Sequence, residues 1–306
     1  MNGFYPEGWQ REAHKTGGFN LSELSDAKQN NKVLEAIVTL CNAAHDLVVD
    51  LGCMKGVIPR NDGAIGISDG KTRDIALISR VGKPVCFTVE DILTDEGGRP
   101  YALLSRRRAQ ELCRKHIENF KKAGDVIPAK ITHFESFGAF CDIGCGIIAL
   151  LPIDSISVSR ISHPKDRFYI GESIRAVIKD ISPDGKITLS HKELLGTWEE
   201  NAELFAPGLT VTGVIRSIED YGIFVEIAPN LAGLAEPKAN VAIGQQASVY
   251  IKSIIKEKMK IKLIIIDSFG NCYSPEIKYF YKGDNISEWE YSPADCKKRI
   301  FTRFCS

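Results

Sequence analysis

GDVIPAKITHFESFGAFCDIG occupies residues 124–144, and GLTVTGVIRSIEDYGIFVEIA occupies residues 208–228. A shift of 84 residues lays the second segment on the first, with two glycines on two glycines and two aromatic residues on two aromatic residues. The aligned pairs are Phe137 with Tyr221, Gly138 with Gly222, and Phe140 with Phe224. Self-similarity at a fixed offset is the signature of a repeated structural unit, so the chain contains at least two copies of one fold.

Both copies continue in the same way after this opening. The first closes with GESIRAVIKDISPDGKITLSHK (171–192) and the second with GQQASVYIKSIIKEKMKIKLIIID (244–267). Runs rich in Val and Ile that are bounded by turn residues predict strands, and each copy contains about five such runs. A weaker third copy, residues 33–107, precedes them.

The ordered set FGAF, GIIALLPIDSI and GKITLSHK resembles the S1 domain, an RNA-binding module of the OB-fold type. YGIF, GLAEP and KMKIKL form an abbreviated second match. This resemblance covers residues 32–267 and is closest to the S1 family of bacterial small-subunit ribosomal proteins. It implies a mostly β fold of tandem five-stranded OB-fold barrels (S1 type) joined by short α-helical linkers.

The predicted organisation has seven parts. They are a partly extended N-terminal segment (1–31), a degenerate S1-like module (32–107), a basic helical linker (108–123), an S1 module (124–193), a helical linker (194–207), a shortened S1 module (208–267) and an aromatic-rich C-terminal extension (268–306). The shortening falls between the third and fourth strands of the last module. We expect the aromatic extension to cover the barrel end that this short crossover leaves open.

The resemblance also implies an RNA-binding face. The residues that match the family's ligand positions are Phe137, Phe140 and Lys186 in the middle module and Tyr221, Phe224 and Lys260 in the last. Aromatic rings stack on unpaired bases, and cations contact the phosphates. The first module has His45 and Val48 where the rings stand in the others, so we do not expect it to bind RNA.

Purely structural interpretations of these residues compete with a role in RNA binding. Half-buried strand aromatics are most often core residues, and turn lysines are most often solvated. The lysines between Ile251 and Ile265 could also protect an exposed strand edge. The repeat of the aromatic pair favours the ligand role.

Charge and motifs limit the other classes of function. Lys plus Arg number 39 and Asp plus Glu number 39, so bulk positive charge does not hold a nucleic acid here. Cys141 and Cys145 lie four apart without a second pair at zinc spacing. Gly144 to Ala149 formally matches GxGxxA, but Pro152 follows too soon for the helix that a dinucleotide site needs. We therefore predict no catalytic residue, no metal and no cofactor.

These observations together predict a cytoplasmic protein that binds single-stranded mRNA without catalysis. The small ribosomal subunit is a candidate second partner, and neither a membrane nor a small-molecule substrate is expected. Two rivals stay open. One is a protein-docking module with little RNA affinity, and the other is an accessory subunit of an RNA-processing or stress-response complex.

Overall fold

A computed structural model describes residues 4–9, 18–270 and 276–304. Within these residues the chain forms three closed five-stranded β-barrels. The predicted fold class, tandem OB-type barrels in a mostly β chain, is confirmed. We call the barrels first, middle and last, in chain order.

All three barrels have the same strand order. Numbered within a barrel, the order is first–second–third–fifth–fourth, and the third and fifth strands are parallel. The first barrel consists of β1 (Leu34–Cys41), β2 (Leu47–Asp50), β3 (Lys55–Ile58), β4 (Pro84–Thr94) and β5 (Pro100–Ser105). The middle barrel consists of β6 (Val126–Glu135), β7 (Gly138–Asp142), β8 (Ile148–Pro152), β9 (Ser173–Ile181) and β10 (Ile187–Ser190). The last barrel consists of β11 (Thr210–Glu219), β12 (Gly222–Ala228), β13 (Leu231–Ala235), β14 (Gln246–Ile255) and β15 (Lys260–Phe269).

The helices are short, and most of them connect strands. They are α1 (Leu21–Gln29), α2 (Ile75–Ile78), α3 (Arg106–Phe120) and α4 (Trp198–Ala202). Two 3-10 turns, Ile153–Ser155 and Pro164–Asp166, lie in the crossover between β8 and β9. Residues 236–245 of the last barrel, all of them described, contain no helical turn. The crossover of the last barrel is therefore reduced to a loop.

A two-residue alternation along the strands creates each core. In β15 the side chains of Ile261, Leu263 and Ile265 are buried, while Lys260 and Lys262 face outward. Successive side chains of a strand point to opposite faces, so this alternation gives one apolar face and one wet face. β15 pairs with both β13 and β14. Its lysines therefore do not protect a strand edge.

The repeated glycines mark a close approach between strands. A Cβ atom on Gly138 would lie 2.5 Å from the carbonyl oxygen of Leu151, and one on Gly222 would lie 2.6 Å from that of Ala235. Only glycine fits at such a distance. The same glycine in two copies thus fixes the start of the second strand in both barrels.

The chain divides into two compact units. The first comprises residues 1–121, 128–130 and 142–148, and the second comprises 122–127, 131–141 and 149–306. In the first unit, the core of the first barrel also buries Leu24 and Ala27 of α1. In the second unit, the core of the last barrel also buries Trp198 of α4. The domain boundaries given above stay predictions.

The described part of the C-terminal extension does not lie where we expected. It forms a small sheet of β16 (Glu288–Glu290) and β17 (Phe301–Arg303). The Tyr291 hydroxyl donates to the carbonyl of Asn230, and the backbone N–H of Trp198 donates to the carbonyl of Tyr291 (2.9 Å). Asn230 lies in the turn that precedes β13, whereas the short crossover follows β13. The extension thus covers the opposite end of the last barrel, where Trp198 of α4 is buried in the core.

Candidate nucleic-acid interface

Two pairs of aromatic rings have the same geometry in the middle and last barrels. The ring centroids of Phe137 and Phe140 lie 6.2 Å apart with an interplanar angle of 88°, and those of Tyr221 and Phe224 have the same distance and angle. Edge-to-face packing at this distance is favourable for aromatic rings. We call these the middle and last ring pairs.

The rings are open to solvent rather than part of the cores. Phe137 is 54% exposed and Tyr221 is 68% exposed, while Phe140 and Phe224 are half-buried. The residues on either side of Phe224, Ile223 and Val225, are buried. Each pair therefore presents ring surface on the outer side of its barrel, as a stacking platform requires.

A short turn brings residues three apart to the same face. β6 ends at Glu135 and β7 begins at Gly138, so Phe137 lies in the turn and not in the strand. Strict alternation would place Phe137 and Phe140 on opposite faces. Because the turn breaks the alternation, both rings reach the outer face, and Tyr221 has the same place before β12.

Strand register places further outward residues beside the rings. In the last barrel, Phe224 pairs with Leu234, and Leu234 pairs with Lys262. In the middle barrel, Leu150 pairs with Thr188. Cross-strand partners on one face lie about 5 Å apart. Lys262 and Thr188 therefore occupy equivalent positions of the two barrels, and this correspondence also makes Lys260 equivalent to Lys186.

The two predicted lysines have different surroundings. Lys186 is exposed, and its Nζ lies 2.6 Å from Oδ2 of Asp184. Hydrogen bonds from Lys186 and Ser182 lower the pKa of Asp184 to about 2, and the same carboxylate raises the pKa of Lys186. Lys260 begins β15 and is exposed. Within the described ranges, no carboxylate lies within 4 Å of its ammonium group.

Sequence reasoning missed two neighbours of the ring pairs. The ring of His133 stacks beside Phe140, with centroids 6.2 Å apart and an interplanar angle of 23°. Its Nε2 lies 2.9 Å from a carboxylate oxygen of Glu135. Lys262 lies in the row that contains Phe224. Position in the repeat could have indicated His133, since the aligned Ser217 pairs with Phe224, but the role of Lys262 depends on strand register.

The first barrel has the same topology without the rings. Val48 pairs with Val57, and Val57 pairs with Leu103, so these aliphatic residues stand where the other barrels have a ring, a leucine and a polar residue. His45 has a left-handed backbone (φ 64°), and its ring nitrogen lies 3.3 Å from Asp74. The face of the first barrel offers no stacking pair among its described residues.

The other motifs singled out in the sequence form no site. Residues 144–147 make a turn that leads into strand β8 rather than a helix, so GxGxxA is not a phosphate-binding loop. Cys141 and Cys145 are both buried. In the described part of the chain, no three His, Cys, Asp or Glu side chains are grouped to hold a metal ion. None of the helices described is both long and apolar enough to cross a membrane.

A closed five-stranded barrel of this strand order, with rings on the second strand and on the turn before it, is an OB-type module of the class that binds single-stranded nucleic acids. Comparison with known families agrees with this class. Residues 121–192 match the model of the S1 RNA binding domain, which identifies the middle barrel.

Similar proteins extend the match beyond that barrel. Small ribosomal subunit protein bS1 of Staphylococcus aureus (strain COL) is 30% identical over 288 residues, which is 85% of this chain and 71% of that protein. The protein of the same name from Staphylococcus epidermidis is 29% identical over 282 residues, 83% of this chain and 69% of its own length. The chain belongs to the bS1 family of S1-domain proteins, and this relationship supports RNA binding.

One solved structure is a multidomain protein with nucleic acid binding domains from Streptococcus pneumoniae. It aligns with 77% of this chain and 73% of its own at 12% identity, with a TM-score of 0.26. The strand order of the three barrels defines the fold.

Proposed function

We propose that the chain binds single-stranded RNA, in particular mRNA, through the middle and last barrels, and that it does so without catalysis. The observation that carries this proposal is the pair of outward rings that recurs with the same distance and angle in two barrels. Core packing alone does not require an exposed ring at Phe137 and again at Tyr221. Bases supply the flat apolar surface that such rings bind.

Two weak modules in one chain reinforce each other. After one barrel has bound a strand, the other meets the same strand at a high effective concentration. This explains how a chain with 39 basic and 39 acidic residues can bind a polyanion. Stacking supplies much of the free energy, so the dependence on salt should be shallow, with a slope of about −0.7 per phosphate contact.

Association with the small ribosomal subunit is the setting we propose for this binding. The relatives are small-subunit ribosomal proteins by name. Co-sedimentation of the chain with small ribosomal subunits at increasing salt tests the setting. Absence from the subunit fraction at low salt would leave RNA binding without the ribosome.

Removing the ring pairs tests the RNA-binding role. The double variants Phe137→Ala/Phe140→Ala and Tyr221→Ala/Phe224→Ala should each lose about 1–3 kcal/mol of binding free energy per ring. Fluorescence anisotropy with labelled oligo(U) and oligo(A) at one salt concentration measures this loss. Phe301→Ala is the matched control, because Phe301 is also exposed (62%) and lies in β17, away from the ring pairs.

Circular dichroism and the melting temperature show whether each variant is folded. A folded double variant with unchanged affinity would remove that ring pair from the site. If the wild type binds neither oligonucleotide, the protein-docking alternative takes precedence. The outward aliphatic row of the first barrel, Val48, Val57 and Leu103, is the observation that favours docking for that barrel.

A further inference from the structure

The middle and last barrels differ in charge beside otherwise matching ring pairs. The row next to the middle ring pair continues from Leu150 to Thr188 and then to Asp180. The corresponding row of the last barrel continues from Leu234 to Lys262 and then to Ser253. Thr188 and Asp180 of the middle barrel thus correspond to Lys262 and Ser253 of the last barrel. A hydroxyl and a carboxylate in one barrel are replaced by an ammonium group and a hydroxyl in the other.

The hairpins that end in these rows show the same contrast. Asp180 to Thr188 contains two aspartates and one lysine, a net charge of −1. Ser253 to Lys262 contains four lysines and one glutamate, a net charge of +3. The hairpin between the fourth and fifth strands is therefore four charge units more positive in the last barrel, although both hairpins occupy the same place in the fold.

Ion pairing increases the difference. Lys186, the one lysine of the middle hairpin (Asp180 to Thr188), is paired with Asp184. Lys260 and Lys262 have no carboxylate within 4 Å among the residues the structure describes. The nearby acid Glu236 lies 3.7 Å from Nζ of a different lysine, Lys252. Among the described residues, Lys260 and Lys262 of the last hairpin are therefore unpaired, whereas Lys186 of the middle hairpin is neutralised.

Lys262 lies within reach of a strand stacked on the last ring pair. Its Cα position is two strands from Phe224 in the same outward row, which corresponds to about 10 Å. A lysine side chain is a mobile point charge on a long flexible stem, and phosphate contacts are the usual role of lysine on nucleic acids. The middle barrel has no cation at this position but adds the ring of His133 beside Phe140.

We propose, building on the function proposed above, that the two barrels divide RNA recognition. The last barrel binds the phosphate backbone through Lys262, with Lys260 beside it, and its binding depends on salt. The middle barrel binds chiefly by stacking, on Phe137, Phe140 and His133. The position shared by Thr188 and Lys262 determines which mode a barrel uses.

Reciprocal substitutions at the shared position test this division. In the full chain, Lys262→Thr should make the slope of log affinity against log salt shallower by about 0.7, the contribution of one phosphate contact to single-stranded RNA. Thr188→Lys should make it steeper by a similar amount. Lys298→Thr is the control, because it removes the same charge from an exposed position in the C-terminal extension.

The measurement is the affinity for labelled oligo(U) between 50 and 400 mM potassium chloride, read by anisotropy. Slopes of Lys262→Thr and Lys298→Thr that agree within error would overturn the role of Lys262. An unchanged slope in folded Thr188→Lys would overturn the claim that this position faces the backbone in both barrels. Wild-type protein that binds neither oligo(U) nor oligo(A) would refute the proposed function itself, so the two failures are distinguishable.

Discussion

Asp142 and Glu226 occupy the same position in the middle and last barrels. Each follows the second ring of its ring pair by two residues and therefore points to the outer side of its barrel. Both are nevertheless buried, with exposed fractions of 3% and 0%. An outward acid that is buried must be covered by another segment, and the two barrels use different segments.

Glu226 is covered by arginines of the second unit. Arg167, from the crossover between β8 and β9, donates to one carboxylate oxygen, and Arg216 of β11 donates to the other (2.6 Å). The side chains of Arg167 and Glu226 are both fully buried. Their charges therefore compensate each other away from water.

Asp142 is covered in the first unit by backbone N–H groups. Glu7 donates its N–H to Oδ2 (2.7 Å), and Gly144 and Gly146 donate theirs to Oδ1 (2.8 and 3.0 Å). The nearby guanidinium of Arg106 is bound to the carboxylate of Glu7 (2.7 Å). Burial, together with the charge of Glu7, raises the pKa of Asp142 to about 7. One position thus holds a charge-paired acid in one barrel and an acid that readily becomes neutral in the other.

Breaking the pair at Glu226 should give the largest effect. Glu226→Gln leaves the buried charge of Arg167 without its anion, which typically costs about 3–5 kcal/mol of stability. Asp142→Asn should cost less at pH 7, about 1–3 kcal/mol, because an amide oxygen still accepts from backbone N–H groups. Urea unfolding followed by circular dichroism measures both.

Glu219→Gln serves as the control for this comparison, since Glu219 ends β11 with an exposed side chain. A surface change of this kind should stay within about 0.5 kcal/mol of the wild type. A loss at Glu226 as small as that of the control would show that the buried pair contributes nothing net.

The pH dependence of the first unit sharpens the comparison. The pKa of Asp142 is higher in the folded chain than its usual value of 3.8. The folded state therefore keeps the carboxyl proton up to a higher pH than the unfolded state does. The contribution of Asp142 to the free energy of unfolding is therefore greatest below about pH 4. It falls as the pH rises toward 7, by up to about 1.4 kcal/mol per pH unit. Amide hydrogen exchange at residues 142–148 between pH 4.5 and 7.5 measures the trend.

The variant Asp142→Asn cannot titrate, so it should lack this dependence whatever its absolute stability. The wild-type trend minus that of the variant isolates the contribution of the carboxyl group. Parallel trends in the two proteins would show that Asp142 is ionised throughout and that its burial is compensated by charge, as at Glu226.

A smaller pH effect than that of Asp142 runs in the opposite direction and belongs to the second unit. Burial of His191 lowers the pKa of its ring from 6.5 to about 4, with a smaller contribution from the charge of Arg167, while a hydrogen bond to the carbonyl of Ile156 opposes the shift. The stabilisation from the neutral ring is present above pH 6.5. It is lost as the pH falls from 6.5 to 4, by roughly 3 kcal/mol at most.

Amide hydrogen exchange at residues 187–195 between pH 7 and 4.5 measures this loss of stability. His191→Gln should remove most of the acid sensitivity, whereas His133→Gln, which changes an exposed ring, should retain it. Equal acid sensitivity in the wild type and in His191→Gln would mean that another group controls the second unit at low pH.

Local sequence patterns predicted the strands and the repeat, and the resemblance to the S1 domain predicted the barrels and the ring positions. Alternation along β15 and the repeated glycines, Gly138 and Gly222, act over a few residues, and the offset of 84 transferred Phe137 and Phe140 to Tyr221 and Phe224. The ligand roles of these rings, and of Lys186 and Lys260, stay predictions. What alternation specifies is the face of a side chain, because a strand turns each successive residue by half a revolution.

Non-local packing decided the remaining features. Lys262 joins the ring row through the pairing of β13 with β15, and the C-terminal extension covers the end of the last barrel next to α4 rather than the crossover end that we expected. Glu226 meets Arg167 across 59 residues and Asp142 meets Glu7 across 135. The sequence by itself determined which residues face outward from each barrel. Only the tertiary structure decided what covers those residues, because a strand's neighbours and the segments that pack on it come from distant parts of the chain, and no local pattern specifies their register.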